Sequence, residues 1–296
     1  MLLSKMQLTG QLQNSKDLQM GKVLLSIGHG FSASVLGAQL IKDGWIVYGT
    51  TRSVEKAKKL NDGGVNSIIW PGTDLTPYIQ KATHILTSVS PNSQGDPVLN
   101  QYNEILSKNT FDWVGYLSTT GVYGNHNGGW VDENSPLKPN TTRGKLREEA
   151  ELSWSKLNIN LHIFRLAGIY GPGRGPFSKV RNGTARRIIK EGQLFSRIHV
   201  DDIAQVLLAS IRYPRQGAIY NVCDDNPAPP EDVISYAAEL LDMPIPIAID
   251  YDKAEMSPMA RSFYAENKRV SNELIKKELG VELKFPDYKA GLQSLL

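Results

Sequence analysis

An α/β fold, a doubly wound and mostly parallel sheet followed by a smaller C-terminal lobe, is predicted by three observations. Short apolar runs alternate with segments whose apolar residues recur at helical spacing. The alternation has the length of βαβ units, in which a helix carries the chain between parallel strands. It holds as far as Gly171, then breaks at Pro172, Gly173, Gly175 and Pro176, beyond which the elements are shorter.

The regular pattern begins at Lys22. Val23 to Ile27 is an apolar run that ends in glycines, as a buried parallel strand does. Ala33, Leu36, Gly37, Leu40 and Ile41 then fall at helical spacing, and Gly44 stands where that helix stops. Trp45 to Gly49 reads as the second strand, followed by a polar helix through Glu55 and Leu60. Val65 to Trp70 gives a third strand, a helix surrounds Tyr78, and His84 to Val89 gives a fourth strand. A helix from Val98 to Leu106 leads to a strand at Trp113 to Ser118, and Leu161 to Leu166 is the sixth. In the second half, a helix from Ile203 to Ile211 follows Asp201 and Asp202, two candidate N-caps. Ser235 to Leu241 and Asn272 to Leu279 are further helices, the latter closed by Gly280. Residues 1–20 mix charged and amide side chains with scattered leucines and lack the continuous apolar core of a signal peptide. They read as a poorly ordered leader, or as the result of a start codon placed too early, with Met20 the alternative start.

A hydrophobic share of 41% and a charged share of 21% are those of a folded globular chain. The formal net charge of +3 gives no concentrated basic face, so nucleic acid is not an expected partner. No apolar run approaches the roughly 20 residues that span a bilayer, so neither is a membrane. Cys223 stands alone, which excludes an intrachain disulfide and fits a reducing, cytoplasmic setting. No His, Cys, Asp or Glu cluster has metal-ligand spacing, and no nucleophile elbow accompanies a Ser-His-Asp set.

The chemistry-bearing motif is Gly28-His29-Gly30-Phe31-Ser32-Ala33, a G-x-G-x-x-A sequence between a predicted strand and an amphipathic helix. Gly28 permits the tight turn, Gly30 lets backbone approach a pyrophosphate, and Ala33 lets helix and strand pack closely. The pyrophosphate belongs at the helix N-terminus, where unpaired N–H groups favour an anion. This is a Rossmann dinucleotide-binding context, to be weighed against a glycine-rich turn with no ligand. An NAD site usually ends the second strand with a carboxylate for the ribose 2′-OH. Here the chain reads Gly49-Thr50-Thr51-Arg52, and an arginine at that point suits a 2′-phosphate, so the expected cofactor is NADP in preference to NAD. The alternative is that Arg52 is a solvated surface residue. Expected cofactor contacts are Gly28, Gly30, Phe31, Ser32, Ala33, Thr51, Arg52, Ser88, Val89 and Asp74, the last of which serves equally well as a helix cap.

With these motifs in view, the chain resembles the extended short-chain dehydrogenase/reductases, also called the NAD-dependent epimerase/dehydratase family, over nearly all of its length after Met20. The resemblance rests on the glycine motif, on Ser118-Thr119-Thr120-Gly121-Val122-Tyr123-Gly124, and on Arg165-Leu166-Ala167-Gly168-Ile169-Tyr170-Gly171-Pro172-Gly173. Ile198-His199-Val200-Asp201-Asp202-Ile203-Ala204, Tyr220-Asn221-Val222 and Arg269-Val270-Ser271-Asn272 complete it. It is nearest to an atypical subgroup of NAD(P)-dependent oxidoreductases or epimerases. The resemblance implies a Tyr-x-x-x-Lys pair on a helix, with a Ser or Thr to orient the substrate carbonyl. Thr119 matches the Ser/Thr position, but the helix reads Thr141-Thr142-Arg143-Gly144-Lys145-Leu146-Arg147 and has no tyrosine.

Two registers are open, Thr141 with Lys145 or Arg143 with Arg147. Leu146, Ala150, Trp154 and Leu157 form a buried stripe that Arg143 and Arg147 border, whereas Lys145 points roughly opposite, so periodicity favours the arginines. An arginine stays protonated and cannot replace tyrosine as a titrating acid, although it can bind phosphate, ribose or a polarised oxygen. Candidate catalytic residues are therefore Thr119, Arg143, Arg147 and Tyr123. For Tyr123 and Tyr170 a packing or turn role is the alternative. His199 has a suitable intrinsic pKa for a neutral-pH acid, against a structural role in a strand-to-helix turn.

The resemblance assigns the region after the Tyr-Gly-Pro-Gly loop to substrate. Arg174, Lys179, Arg181, Arg186, Arg187 and Arg197 either line a site for an anion or form a solvated basic hairpin. Met259 to Lys268 is a candidate loop over the cleft, with Arg261 and Tyr264 as its contacts. Expected substrate residues are Arg174, Arg181, Arg197, His199 and Tyr264. The expected organisation is a leader (1–20), a NAD(P)-binding Rossmann domain (21–172, with 196–223 packing back onto it) and a substrate-binding lobe (173–195 and 224–296). The function expected is an NAD(P)-dependent oxidoreductase or epimerase-like enzyme acting on a small polar carbonyl or sugar substrate, neutral or anionic, with homodimerisation left open. The alternative is a non-catalytic NADP-binding sensor or interaction protein.

Overall fold

The computed structural model describes residues 21–296, so the expected leader lies outside the described residues. In chain order the first half comprises β1 (Val23–Ile27), α1 (Phe31–Lys42), β2 (Ile46–Thr51), α2 (Val54–Asp62), β3 (Asn66–Ile69), α3 (Thr76–Lys81), β4 (His84–Thr87), α4 (Pro97–Lys108) and β5 (Trp113–Thr119). A 3₁₀ turn (Thr120–Tyr123) leads to β6 (Trp130–Val131), α5 (Thr142–Ser155), β7 (Leu161–Leu166) and β8 (Gly168–Tyr170). Then come α6 (Phe177–Arg181), β9 (Arg187–Ile189), β10 (Arg197–His199), α7 (Val200–Arg212), β11 (Ala218–Val222) and α8 (Pro230–Leu240). The chain ends with β12 (Ala248–Asp250), α9 (Pro258–Tyr264), β13 (Arg269–Val270), α10 (Glu273–Leu279) and α11 (Tyr288–Gln293).

Seven strands form one parallel sheet in the order β11-β7-β5-β4-β1-β2-β3. The order reverses between β1 and β4, which is where an open α/β sheet leaves a crevice at its carboxyl edge. Successive residues of β1 feed opposite faces, as a pleated strand requires. Leu24 packs with Leu36 and Leu40 of α1 and Leu207 of α7, while Leu25 and Ile27 pack with Val98 and Leu106 of α4. Each of these fully buried side chains contributes about 1.5–3 kcal/mol of burial. Trp113 lies flat along β5 over Gly115, where any Cβ would overlap its ring, and its indole N–H donates to Ser210 Oγ of α7 (3.0 Å).

Four details differ from the sequence expectation. β2 runs on to Thr51, so Arg52 is the first residue past the strand. The cap of α7 is His199, whose Nδ1 accepts the Asp201 N–H (3.2 Å), and not either aspartate. Asp202 instead accepts the Lys284 and Phe285 N–H groups and ties down the C-terminal segment. A helix, α9, replaces the loop expected near residue 260, with Ser257 as N-cap and proline at its first position. Finally, Val270, Ile275, Leu279 and Val281 join the main core against the sheet, although the expected boundary assigns them to the lobe. Cys223, at the end of β11, is fully buried and donates its S–H to the Val270 carbonyl.

The remaining C-terminal segments form two small cores beside the sheet. One gathers Tyr170, Phe177, Val180, Val233, Ala237, Tyr288 and Leu292, and the other Ile188, Ala254 and Tyr264.

Candidate functional site

A cleft of about 830 Å³ opens between the carboxyl edge of the sheet and the C-terminal segments. Its first wall is the glycine loop. Gly28 has φ +82°, and a Cβ there would stand 2.9 Å from Ser88 Oγ, so only glycine fits. The loop is pinned from both sides: Gly28 N–H donates to Thr50 Oγ1 (2.7 Å), and Ser88 Oγ donates to the Gly28 carbonyl. Gly30 caps α1 with no side chain over the helix end, and no acidic residue occupies the first turn. The first N–H groups of this 12-residue helix are therefore open to an anion. His29 turns inward. Its ring sits between Gly37 and Gly49, where added Cβ atoms would come within 2.8 and 2.9 Å, and burial holds it at about 4, hence neutral.

Of the expected cofactor residues, Gly30, Phe31, Ser32, Ala33 and Ser88 line the cleft. Gly28 and Val89 support the loop from beneath. Thr51 is buried, its Oγ1 accepting the Ser53 N–H, and the adjacent Arg52 is exposed, both outside the cleft wall. Asp74 is exposed beyond the wall and accepts the Thr76 N–H (3.0 Å), just ahead of α3.

The second wall is the end of β5 and the start of α5. Thr119 lines the cleft and accepts the Gly121 N–H through Oγ1 (3.1 Å). Thr141 caps α5 by accepting the Gly144 N–H, and Lys145 is exposed away from the cleft. Arg143 and Arg147 both line it. Arg147 reaches across the sheet edge and donates to Tyr116 OH (2.8 Å), the Leu117 carbonyl (3.1 Å) and the Val89 carbonyl (3.3 Å). Arg143 is exposed at the mouth, donating to Ser262 Oγ (3.3 Å) with its guanidinium 4.5 Å from the Phe263 ring.

Three candidates face elsewhere. Tyr123 is fully buried under the cleft floor; its hydroxyl donates to Asn221 (2.7 Å) and accepts from Arg165 (3.0 Å), and burial pushes it up to about 12. Expected as a catalytic candidate, it does not reach the cleft. His199 is buried between Tyr170 and Phe285 as the cap of α7, with its pKa lowered by burial. Tyr264 packs inward against Phe195 and Tyr251. Below Thr119, Ser118 donates to Glu151, which forms a buried ion pair with Arg165 (2.8 Å).

The basic run also divides. Arg174 and Arg197 line the cleft, whereas Arg181 stacks on Phe177 and Arg186 donates to the Glu255 carbonyl. From the 259–268 segment the cleft takes Ser262, Phe263, Glu266 and Lys268. Arg261 turns away to the Ala254 carbonyl, because helical spacing sets its face. The Lys268–Glu266 pair (2.7 Å) escaped the sequence reading because its stretch has no period. The Ser257-Pro258 helix start was the available signal. Among the described residues no group of His, Cys, Asp or Glu is arranged to hold a metal, and no helix is long and apolar enough to cross a membrane.

No family model matches the chain. Protein YeeZ of Escherichia coli (strain K12) is 26% identical over 286 residues, covering 90% of this chain and 97% of that protein. The solved structure of a conserved protein of unknown function from Silicibacter pomeroyi DSS is 54% identical, with a TM-score of 0.89 over 93% of this chain and 98% of that one. At the level of fold alone, the chain matches human epimerase family protein SDR39U1 with NADPH (18% identity, TM-score 0.72, 92% and 98% covered). It matches Bacillus anthracis dTDP-glucose 4,6-dehydratase with NAD equally well (17%, 0.72, 93% and 95%).

Proposed function

Because this chain belongs to one family with the Silicibacter pomeroyi protein and has the extended short-chain dehydrogenase/reductase fold, we propose that it binds NADP and moves a hydride to or from a small polar, anionic carbonyl or sugar substrate. The observation that carries the reading is the uncapped N-terminus of α1, opened by Gly28 and Gly30 and facing Thr119 and two arginines across one cleft. That cradle fits a dinucleotide pyrophosphate, since Gly30 leaves the first N–H groups of α1 uncovered and Gly28 makes the turn that presents them. Fold neighbours hold NAD in one case and NADPH in another, so the choice falls to Arg52, an exposed cation at the end of β2 with no carboxylate beside it.

When bound, the nicotinamide supplies or accepts the hydride. Thr119 holds the substrate oxygen by its hydroxyl. Arg147 presents fixed positive charge at the edge of β4 and β5, and Arg143 adds charge at the mouth. The lone, buried Cys223 supports a cytoplasmic setting.

A thermal-shift comparison with NADPH, NADH and no ligand tests the reading. A ligand at 100 times its Kd stabilises the native state by roughly 2.7 kcal/mol, a shift of several degrees. A larger shift with NADPH is expected, and no shift with either at millimolar concentration overturns it. One observation favours a second reading, an NADP-binding sensor: no tyrosine stands on α5, and Tyr123 is sealed beneath the floor. Label transfer from deuterated NADPH to a carbonyl or sugar panel supports the enzyme. Tight cofactor binding without transfer supports the sensor.

A further inference from the structure

The inner end of the cleft, where it meets the C-terminal core, differs from the rest in charge and lining. Its walls are Tyr170, Phe195, Val233, Tyr288 and Leu292, with one cation, Arg197, on β10. Arg197 is half-buried, and its guanidinium is held by one nitrogen only, Nη1, which donates to the carbonyls of Phe195 (2.8 Å) and Ala228 (3.0 Å). Among the described residues only Nη1 of this guanidinium is hydrogen-bonded, and no carboxylate pairs with it. Two acids lie near it without reaching it: Asp224, whose buried Oδ2 has no partner and which burial pushes up while Arg197 pulls it down, and Glu231, which burial also raises.

A charge withdrawn from water normally carries a partner, because desolvation without one is costly. The other cations of the cleft are engaged elsewhere. Lys268 is paired with Glu266, Arg147 is tied to the sheet edge, Arg143 stands at the mouth, and Arg174 lies over Phe31 beside the glycine loop. A nucleoside diphosphate carries several charges on a polar body, whereas this end offers one planar fork between apolar walls.

We propose that the inner end is a carboxylate subsite, in which Arg197 receives the single carboxylate of an organic acid whose apolar body rests on Phe195, Val233 and Tyr288. The proposal rests on the NADP reading for the direction in which the substrate faces, and it revises the polar body assumed there: the substrate class is monocarboxylic acids with an apolar portion.

The test is isothermal titration of the NADPH-loaded protein with butyrate and benzoate, with butyramide and inorganic phosphate as comparisons. The carboxylates are expected to bind about tenfold or more tightly than butyramide, and more tightly than phosphate. R197M is expected to lose about tenfold or more of the carboxylate affinity while NADPH affinity stays within about twofold, and R197K to fall between. Unchanged carboxylate affinity in R197M overturns the proposal, as does phosphate binding more tightly than both carboxylates, or no carboxylate binding to the wild type. If R197M does not fold, R197K and the acid-to-amide ratio of the wild type decide alone. A titration with NADPH alone and the carboxylate titrations without NADPH separate the two readings: failure to bind NADPH defeats the cofactor assignment, whereas carboxylate binding that depends on Arg197 still upholds the subsite.

Discussion

The two ends of the cleft are built by opposite means. At the glycine-loop end one stretch, residues 28–33, supplies the turn, the open helix terminus and the close packing. At the inner end Phe195 and Arg197 come from β10 and its approach, Val233 from α8 and Tyr288 from α11, and none is near another two in sequence. The first end is therefore fixed by local backbone geometry. The second exists only once the C-terminal cores have packed, so its chemistry is open to change without disturbing the sheet.

If that contrast is right, the ends respond to different perturbations. The largest expected effect is acid destabilisation centred on the sheet and the loop. Burial lowers His29, His84 and His162 from 6.5 to about 4 each, so between those values the unfolded chain binds protons that the native chain refuses. Stability is then full above about pH 6.5 and is lost as pH falls towards 4, at up to about 1.4 kcal/mol per pH unit for each histidine. Urea midpoints at pH 7 and 5 measure the slope. His29→Leu should remove one proton's share of it, and an unaltered slope would break the assignment of a neutral His29 to the loop.

Glu151→Ala comes next, since it strands Arg165 without a countercharge beneath Thr119. A loss of about 3–5 kcal/mol is expected, seen as a Tm lower by roughly 10 °C. Gly28→Ala should add about 1–2 kcal/mol of left-handed strain and weaken NADPH by tenfold or more, yet leave carboxylate binding at Arg197 intact. Loss of both together in a folded variant would mean the ends are not independent. Arg52→Ala should weaken NADPH about tenfold with NADH unchanged within twofold, read by fluorescence titration. Asp74→Ala is the smallest, costing up to about 1 kcal/mol through the Thr76 N–H and leaving cofactor affinity alone.

The same contrast explains what was legible in the sequence. The βαβ order and the glycine loop could be read because period and turn chemistry are local properties. Arg147 could be reached through its position beside the Ala150–Trp154 stripe, both of which are buried. Tyr123 misled because a residue's type does not say which way it faces: its partners Asn221 and Arg165 lie 98 and 42 positions away. Lys268 and Glu266 were invisible for a similar reason, since a three-residue polar stretch acquires meaning only from Gly124, 144 positions earlier, whose carbonyl accepts from Lys268.

The sealed thiol at the end of β11 has a practical consequence. Burial raises the pKa of Cys223 well above its usual value, and alkylating reagents attack the thiolate. The native protein should thus be silent to maleimides, and a single cysteine introduced as Ser262→Cys would carry a dye at the rim without removing the natural one. Conversely, the rate at which Cys223 itself becomes labelled is a clock for how often β11 comes away from the sheet.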